Sequence, residues 1–358
     1  MLVALGALAM GIATAGANSI GNATACAAGL EARVESVLSP YTGRVPGASL
    51  LILRDGKVLV RQSQGFADLE AGSAAAPDTN YRLASVSKQF TAMSIMLLVQ
   101  DGVLSLDQPV HDWLPSLPPA TRSVTLRQLL SHRSGVVDYE DFVADDAPQV
   151  RDADVLTILE GQDRTLFAPG SSYQYSNSGF ALLALVVERA SQKDYPSFLK
   201  ERIFEPLGMK ATLARVDEGP AVPNRAYGYR LEGKDWVRRD QSSTSAVLGD
   251  GGIYSSVDDL ARWDAALYDD RLLKDSLRKE LFTRQGATDD PDVDYGLGWR
   301  LTGDTVWHSG ESMGFRNVLI RDPKRHTTVI LLTNRDDPEP YQAVRPLLAC
   351  VLEDRAGK

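Results

Sequence analysis

Two serine motifs in this 358-residue chain can each supply a nucleophile, and they demand different surroundings. Gly310-Glu311-Ser312-Met313-Gly314 spells G-x-S-x-G. That pattern needs a serine on a sharp strand-to-helix turn, followed along the chain by an acid and a histidine. After Ser312 comes MGFRNVLIRDPKRHTTVILL, which reads as strand and does not open a helix. His326 is the only later histidine, between a proline-containing turn and a strand, with no spare aspartate in a separate loop at a workable distance. The context of Ser312 fails the motif.

The second pattern, S-x-x-K, puts serine and lysine at i and i+3, so on a helix the amine reaches the hydroxyl. Such a lysine takes the serine's proton or holds a neighbouring base in its reactive form. The pattern occurs three times, at Ser85–Lys88, Ser197–Lys200 and Ser276–Lys279. The last two lie in the charged stretches SFLKERIF and SLRKELF, which read as solvated surface. Only YRLASVSKQFTAMSIMLLV sets the pair at the start of a strongly apolar helix. There the helix N-terminus offers free backbone N–H groups and partial positive charge beside the serine. Ser85 is the better nucleophile. A proton carrier is also needed, and Tyr175-Ser176-Asn177 is the only Y-x-N in the chain. Alone, Tyr175 reads as a packed aromatic and Asn177 as a helix cap. Placed between S-x-x-K and the later His308-Ser309-Gly310, they read as functional.

These residues need elements to hold them. ASLLILRDG and KVLVRQSQGFADL read as strands turned at Asp55-Gly56. YGLGWRLT, TVWHSG, FRNVLIRD and HTTVILLTN read as four more strands near the other end. LEARVESVLS has helical spacing, and a last helix covers roughly 341–354. SSVDDLARWDAALY is an amphipathic helix with Ser256 and Asp259 spaced for a capping box. Residues 103 to about 245 read as helices and long loops. The expected fold class is α/β of the α+β type. It has a mainly antiparallel sheet built from both chain ends, flanking helices, a helical lobe inserted at about 83–250, and a cleft between. Residues 26–358 form one domain in this reading. Gly251-Gly252 are expected to allow close backbone approach at the lobe boundary, and His132 to brace a turn near the cleft.

Composition narrows the classes. The chain is 44% hydrophobic and 24% charged, with net charge −9 and no basic stripe, which speaks against a nucleic-acid partner. Its four histidines form no H-E-x-x-H, and its two cysteines no C-x-x-C, so no metal site is expected. Residues 1–25 contain no charge and end in Ala23-Thr24-Ala25, which reads as a signal peptide and points to a secreted or periplasmic protein. The apolar part is shorter than the roughly 20 residues of a membrane span, so no span is expected after signal removal. In an oxidising compartment Cys26 and Cys350 could form one disulfide joining the two ends, and two free thiols are the alternative. Ala23 stands where a lipid-attachment motif usually has leucine, which weakens lipidation of Cys26.

ASVSKQFTA, LLSHRSGV, YSNSGF, LGDGGIYSSVDDLARW and HSGESMGF stand in the order found in class C β-lactamases and penicillin-binding-protein-like serine hydrolases. The chain resembles that group over almost all of residues 30–355. The group includes esterases, D-stereospecific aminopeptidases and D-Ala-D-Ala carboxypeptidases. Related enzymes carry S-x-x-K, S-D-N and K-T-G; this chain resembles the branch with Y-x-N in second place. The resemblance implies that Ser85 attacks a carbonyl and becomes acylated, with Lys88 and Tyr175 as the base system. It implies that Asn177 bonds Lys88 and the substrate amide. His308, Ser309 and Gly310 would edge the cleft, and the N–H groups of Ser85 and Glu311 would form an oxyanion hole. No cofactor is implied, and the partner is a small-molecule or short peptide substrate. One departure bears on specificity: His308 replaces the lysine of K-T-G, and histidine is largely neutral at pH 7. That favours esters, amides or D-amino-acid derivatives. A β-lactamase or D,D-carboxypeptidase, and a receptor acylated without turnover, are the alternatives.

Overall fold

The computed structural model describes residues 29–216 and 219–356. The signal peptide expected over residues 1–25 and Cys26 lie outside the described residues. Cys350 is buried and disulfide-bonded.

Eight strands form one antiparallel sheet. They are β1 (Ala48–Arg54), β2 (Lys57–Gln64), β3 (Gly286–Ala287), β4 (Asp294–Tyr295), β5 (Arg300–Thr302), β6 (Thr305–Ser312), β7 (Phe315–Asp322) and β8 (Thr327–Thr333). Their spatial order is β3-β4-β5-β6-β7-β8-β1-β2. The last strand therefore pairs with the first, from Ala48 opposite Thr333 to Arg54 opposite Thr327. The sheet expected from both chain ends is the one observed. Side-chain alternation splits it into two faces. Leu50 and Ile52 pack with Val318, Ile320, Val329 and Leu331 under two terminal helices, α1 (Leu30–Leu38) and a long one at Pro340–Ala356. Leu51, Leu53, Leu319, Ile330 and Leu332 face the inserted lobe. Each such fully buried aliphatic side chain contributes about 1.5–3 kcal/mol.

Two helices of the lobe matter for the site. In α2 (Lys88–Gln100) every residue from Lys88 to Leu98 is buried. In α3 (Asn177–Ser191) the same holds from Ser178 to Val187. Three sequence expectations change in detail. YGLGWRLT is not one strand: β4 and β5 are separated by a turn in which Gly298 takes φ +76°. The lobe also carries an unforeseen hairpin, Tyr229–Glu232 with Asp235–Arg238, whose strands are too short for an alternation signal. The third is at α4 (Val257–Ala266), where the Ser256 hydroxyl accepts the Asp259 N–H at 3.2 Å. The Asp259 carboxylate does not return the bond. It accepts instead from the Ala211 N–H at 3.0 Å and the Thr212 hydroxyl at 2.8 Å, tying α4 to the lobe.

Candidate active site

Ser85 sits in a single 3₁₀ turn, Ala84–Ser87, that runs directly into α2. Ala84 takes φ +49°, a left-handed conformation that costs a side-chain-bearing residue roughly 1–2 kcal/mol. The surroundings impose it. The Leu83 N–H donates to the Ile253 carbonyl at 2.8 Å, and Asn317 Nδ2 donates to the Arg82 carbonyl at 2.8 Å. β6 passes so close that a Cβ at Gly310 would overlap the Leu83 carbonyl oxygen. The turn is clamped between sheet and lobe.

Four side chains converge on this turn. Lys88 is fully buried, and its Nζ donates to Ser85 Oγ at 3.0 Å, Asn177 Oδ1 at 2.7 Å and the Asp250 carbonyl at 3.0 Å. Those three acceptors match the three hydrogens of an ammonium. Tyr175 donates its hydroxyl to Ser85 Oγ at 2.8 Å. The serine hydroxyl thus touches a phenol and an amine at once. A proton leaving Ser85 has two immediate destinations. Asn177 opens α3, with its N–H donated to Asp138 Oδ2 at 2.7 Å, which leaves its amide oxygen for Lys88.

Behind Tyr175 runs a chain of neutral rings. The Ser176 N–H donates to His132 Nδ1 at 3.1 Å, so His132 carries its proton on Nε2 and gives it to the Tyr295 hydroxyl at 3.1 Å. Tyr295 then donates to His308 Nε2 at 2.8 Å, and His308 Nδ1–H donates to the Ser309 carbonyl at 2.6 Å. Burial pushes both histidines well below their ordinary range, and the charges of Lys88 and Arg300 push the same way. His132 lies against the Tyr175 ring with centroids 4.2 Å apart. It braces the phenol as well as the turn.

The expected site residues do not all point the same way. Ser85, Lys88, Tyr175 and Asn177 come together. The sequence reading placed His308 against substrate, but its side chain is 1% exposed and fully bonded to Tyr295 and Ser309, so only its backbone is left for a ligand. Ser309, Gly310 and Glu311 lie on β6 beyond Trp307, where pairing with β5 stops. The Glu311 carboxylate lies 3.6 Å from Arg316. A cavity of about 320 Å³ opens over Ser85 and Asn177, walled by Tyr139, Asp250 and Glu311. Ser312 also lines it, but Ser312 Oγ has no hydrogen-bond partner among the described residues. Ser312 closes the β6–β7 hairpin opposite Phe315. His326 lies past the other end of β7, about 23 Å away along the strand, with its ring 3.7 Å from that of Tyr268. No histidine serves Ser312.

Sequence reasoning missed Asp250 and Tyr139. The Asp250 carbonyl holds Lys88, and its carboxyl accepts the Tyr139 hydroxyl at 2.9 Å. Burial holds that carboxyl well above the usual range, and raises Asp138 and Glu140 as well. The available signal was the acidic run Asp138-Tyr139-Glu140-Asp141 straight after LLSHRSGV. The close backbone approach expected at Gly251-Gly252 occurs at Gly252, where a Cβ would meet the Leu248 backbone and the Val247 carbonyl, but not at Gly251; it is tighter still at Gly249, where a Cβ would overlap the Phe180 carbonyl.

A family model described as Beta-lactamase matches residues 27–353. Penicillin-binding protein 4* of Bacillus subtilis is 32% identical over 316 residues, covering 82% of this chain and 69% of that protein. D-aminopeptidase of Brucella anthropi is 32% identical over 301 residues, covering 80% of this chain but only 55% of its own length. Among solved structures, D-amino acid amidase from Ochrobactrum anthropi SV3 superposes with a TM-score of 0.78 at 26% identity, covering 91% of this chain and 99% of that one. The chain belongs to the beta-lactamase family.

Proposed function

We propose that the chain is an exported serine hydrolase that forms an acyl-enzyme at Ser85 and acts on esters, amides or D-amino-acid and short peptide derivatives. The observation that carries this is the contact of one serine hydroxyl with both Lys88 Nζ and the Tyr175 hydroxyl. In this reading Ser85 Oγ attacks the carbonyl while its proton passes to the Lys88–Tyr175 pair. The N–H groups of Ser85 and Glu311 receive the oxyanion. The same pair returns the proton to the leaving group, Asn177 holds Lys88 and the substrate amide, and water then cleaves the acyl-enzyme.

The substrate class is supported by the neutral His308, which brings no cation to the cleft. The likeness to a D-aminopeptidase and a D-amino acid amidase points the same way. Turnover of D-alanine p-nitroanilide, p-nitrophenyl acetate and a penicillin tests the reading. The anilide or the ester is expected to turn over faster than the penicillin, and Ser85→Ala to abolish all three. Faster penicillin hydrolysis would make the protein a β-lactamase, and a lasting penicillin adduct would make it a receptor.

A further inference from the structure

The residue that would supply the second oxyanion donor carries a handicap. Glu311 brings a carboxylate to the position whose N–H is proposed to receive the negative charge of the transition state, and like charge there opposes catalysis. A second weakness is mechanical. β6 pairs with β7 as far as Ser312 but with β5 only as far as Trp307, so the Glu311 stretch has a neighbour on one side alone. Arg316, on β7 directly opposite Glu311, answers both. Its guanidinium lies 3.6 Å from the Glu311 carboxylate and is that acid's one ion-pair partner among the described residues. Its Nη1 also donates to the Ser312 carbonyl at 2.9 Å and the Phe315 carbonyl at 2.8 Å, across the turn that ends β6.

Asp336, just beyond β8, keeps Arg316 there. Its Oδ1 accepts the Gly314 N–H at 2.7 Å and lies 3.7 Å from Arg316 Nη1. Its Oδ2 accepts Arg230 Nε, from the lobe hairpin, at 2.7 Å. Arg230, Asp336, Arg316 and Glu311 thus form a row of alternating charge along one wall of the cavity over Ser85. Arg82, the other arginine on that cavity, is turned to the Ser245 carbonyl at 2.7 Å and to Gln241 at 3.2 Å. Without Arg316 the row keeps an excess negative charge beside the oxyanion position.

We infer that Arg316, held by Asp336, is a positioning residue for the oxyanion hole: it cancels the Glu311 charge and steadies the strand that presents the Glu311 N–H. The inference rests on the acyl-enzyme reading at Ser85, and its test keeps the two apart. Phenylboronic acid reports on the hole. Ser85 Oγ adds to boron, the serine proton passes to the Lys88–Tyr175 pair, and the anionic tetrahedral adduct resembles the transition state. Arg316→Gln is expected to lower kcat for p-nitrophenyl acetate about tenfold with KM within about twofold, and to weaken phenylboronic acid inhibition by a similar factor. Arg316→Lys should keep most of the rate, and adding Glu311→Gln to Arg316→Gln should restore most of the loss. Asp336→Asn, which leaves Arg316 in place, should cost about threefold. An unchanged kcat in Arg316→Gln, a loss not matched in the boronic acid constant, or a loss that Glu311→Gln does not relieve would each overturn the inference. If Arg316→Gln does not fold, an undiminished rate in Asp336→Asn overturns it instead. Peptide mapping of a fluorophosphonate adduct separates the claims. Labelling at Ser85 with rates indifferent to Arg316 discards the inference alone, and labelling at another serine discards the Ser85 reading with it.

Discussion

Ser85–Lys88 and Ser197–Lys200 have the same spacing, and each stands at the start of a helical segment beside a cavity. The cavity by Ser197 is the larger, about 1150 Å³ against about 320 Å³. Yet Lys200 is 69% exposed and reaches only toward Glu205, at 3.7 Å. The Ser197 backbone N–H is taken by Asp194, and no amine or phenol bonds its hydroxyl among the described residues. Lys88 has no exposure, and all of its contacts are site atoms. Spacing supplies reach; enclosure directs the amine to the serine. A large cavity adds nothing to Ser197 when no amine or phenol among the described residues bonds its hydroxyl.

The comparison breaks most directly in the first motif. Ser85→Ala or Lys88→Met should lower ester hydrolysis by about a thousandfold or more. A loss under tenfold in either would remove the distinction between the two sites. A smaller but still severe effect is expected at the clamp. Gly310→Ala adds a methyl against the Leu83 carbonyl and should cost about 1–3 kcal/mol of stability, with loss of activity, read as a lowered Tm. An unchanged Tm would mean that β6 does not press on the Ser85 turn.

Asp152 links the two regions, because it lines the larger cavity and accepts the N–H groups of Leu248 and Gly249 at 2.9 and 3.0 Å. Those residues begin the turn whose Asp250 carbonyl holds Lys88. Burial pushes the Asp152 carboxyl up to about 6 in spite of those bonds. A raised carboxyl contributes its full stability below about pH 4 and loses it as pH rises through about 6, by about 2–3 kcal/mol. Stability relative to Asp152→Asn, from urea unfolding, should therefore fall between pH 4 and pH 7; a constant difference contradicts the shift. The smallest effects belong to the second motif. Ser197→Ala and Lys200→Ala should each change stability by under about 0.5 kcal/mol and leave ester hydrolysis within about twofold. A tenfold loss of activity in Lys200→Ala would make the larger cavity functional.

Much of the site was readable because its parts are local patterns. The Ser85–Lys88 spacing, the apolar run behind it and Tyr175-Ser176-Asn177 each lie within one element, and strand alternation at both ends announced the sheet. What was hidden depends on contacts between distant segments. His308 looked like a cleft residue until Tyr295 and Ser309 took both of its nitrogens. Asp259 looked like half of a capping box until Thr212 claimed it.

The central claim is that Ser85 is acylated. Intact-protein mass spectrometry over time, with a p-nitrophenyl ester and separately with a penicillin, followed by peptide mapping, measures this directly. A transient adduct on the Ser85 peptide, absent in Ser85→Ala, is the predicted result. An adduct on Ser312, or labelling that survives Ser85→Ala, would contradict it.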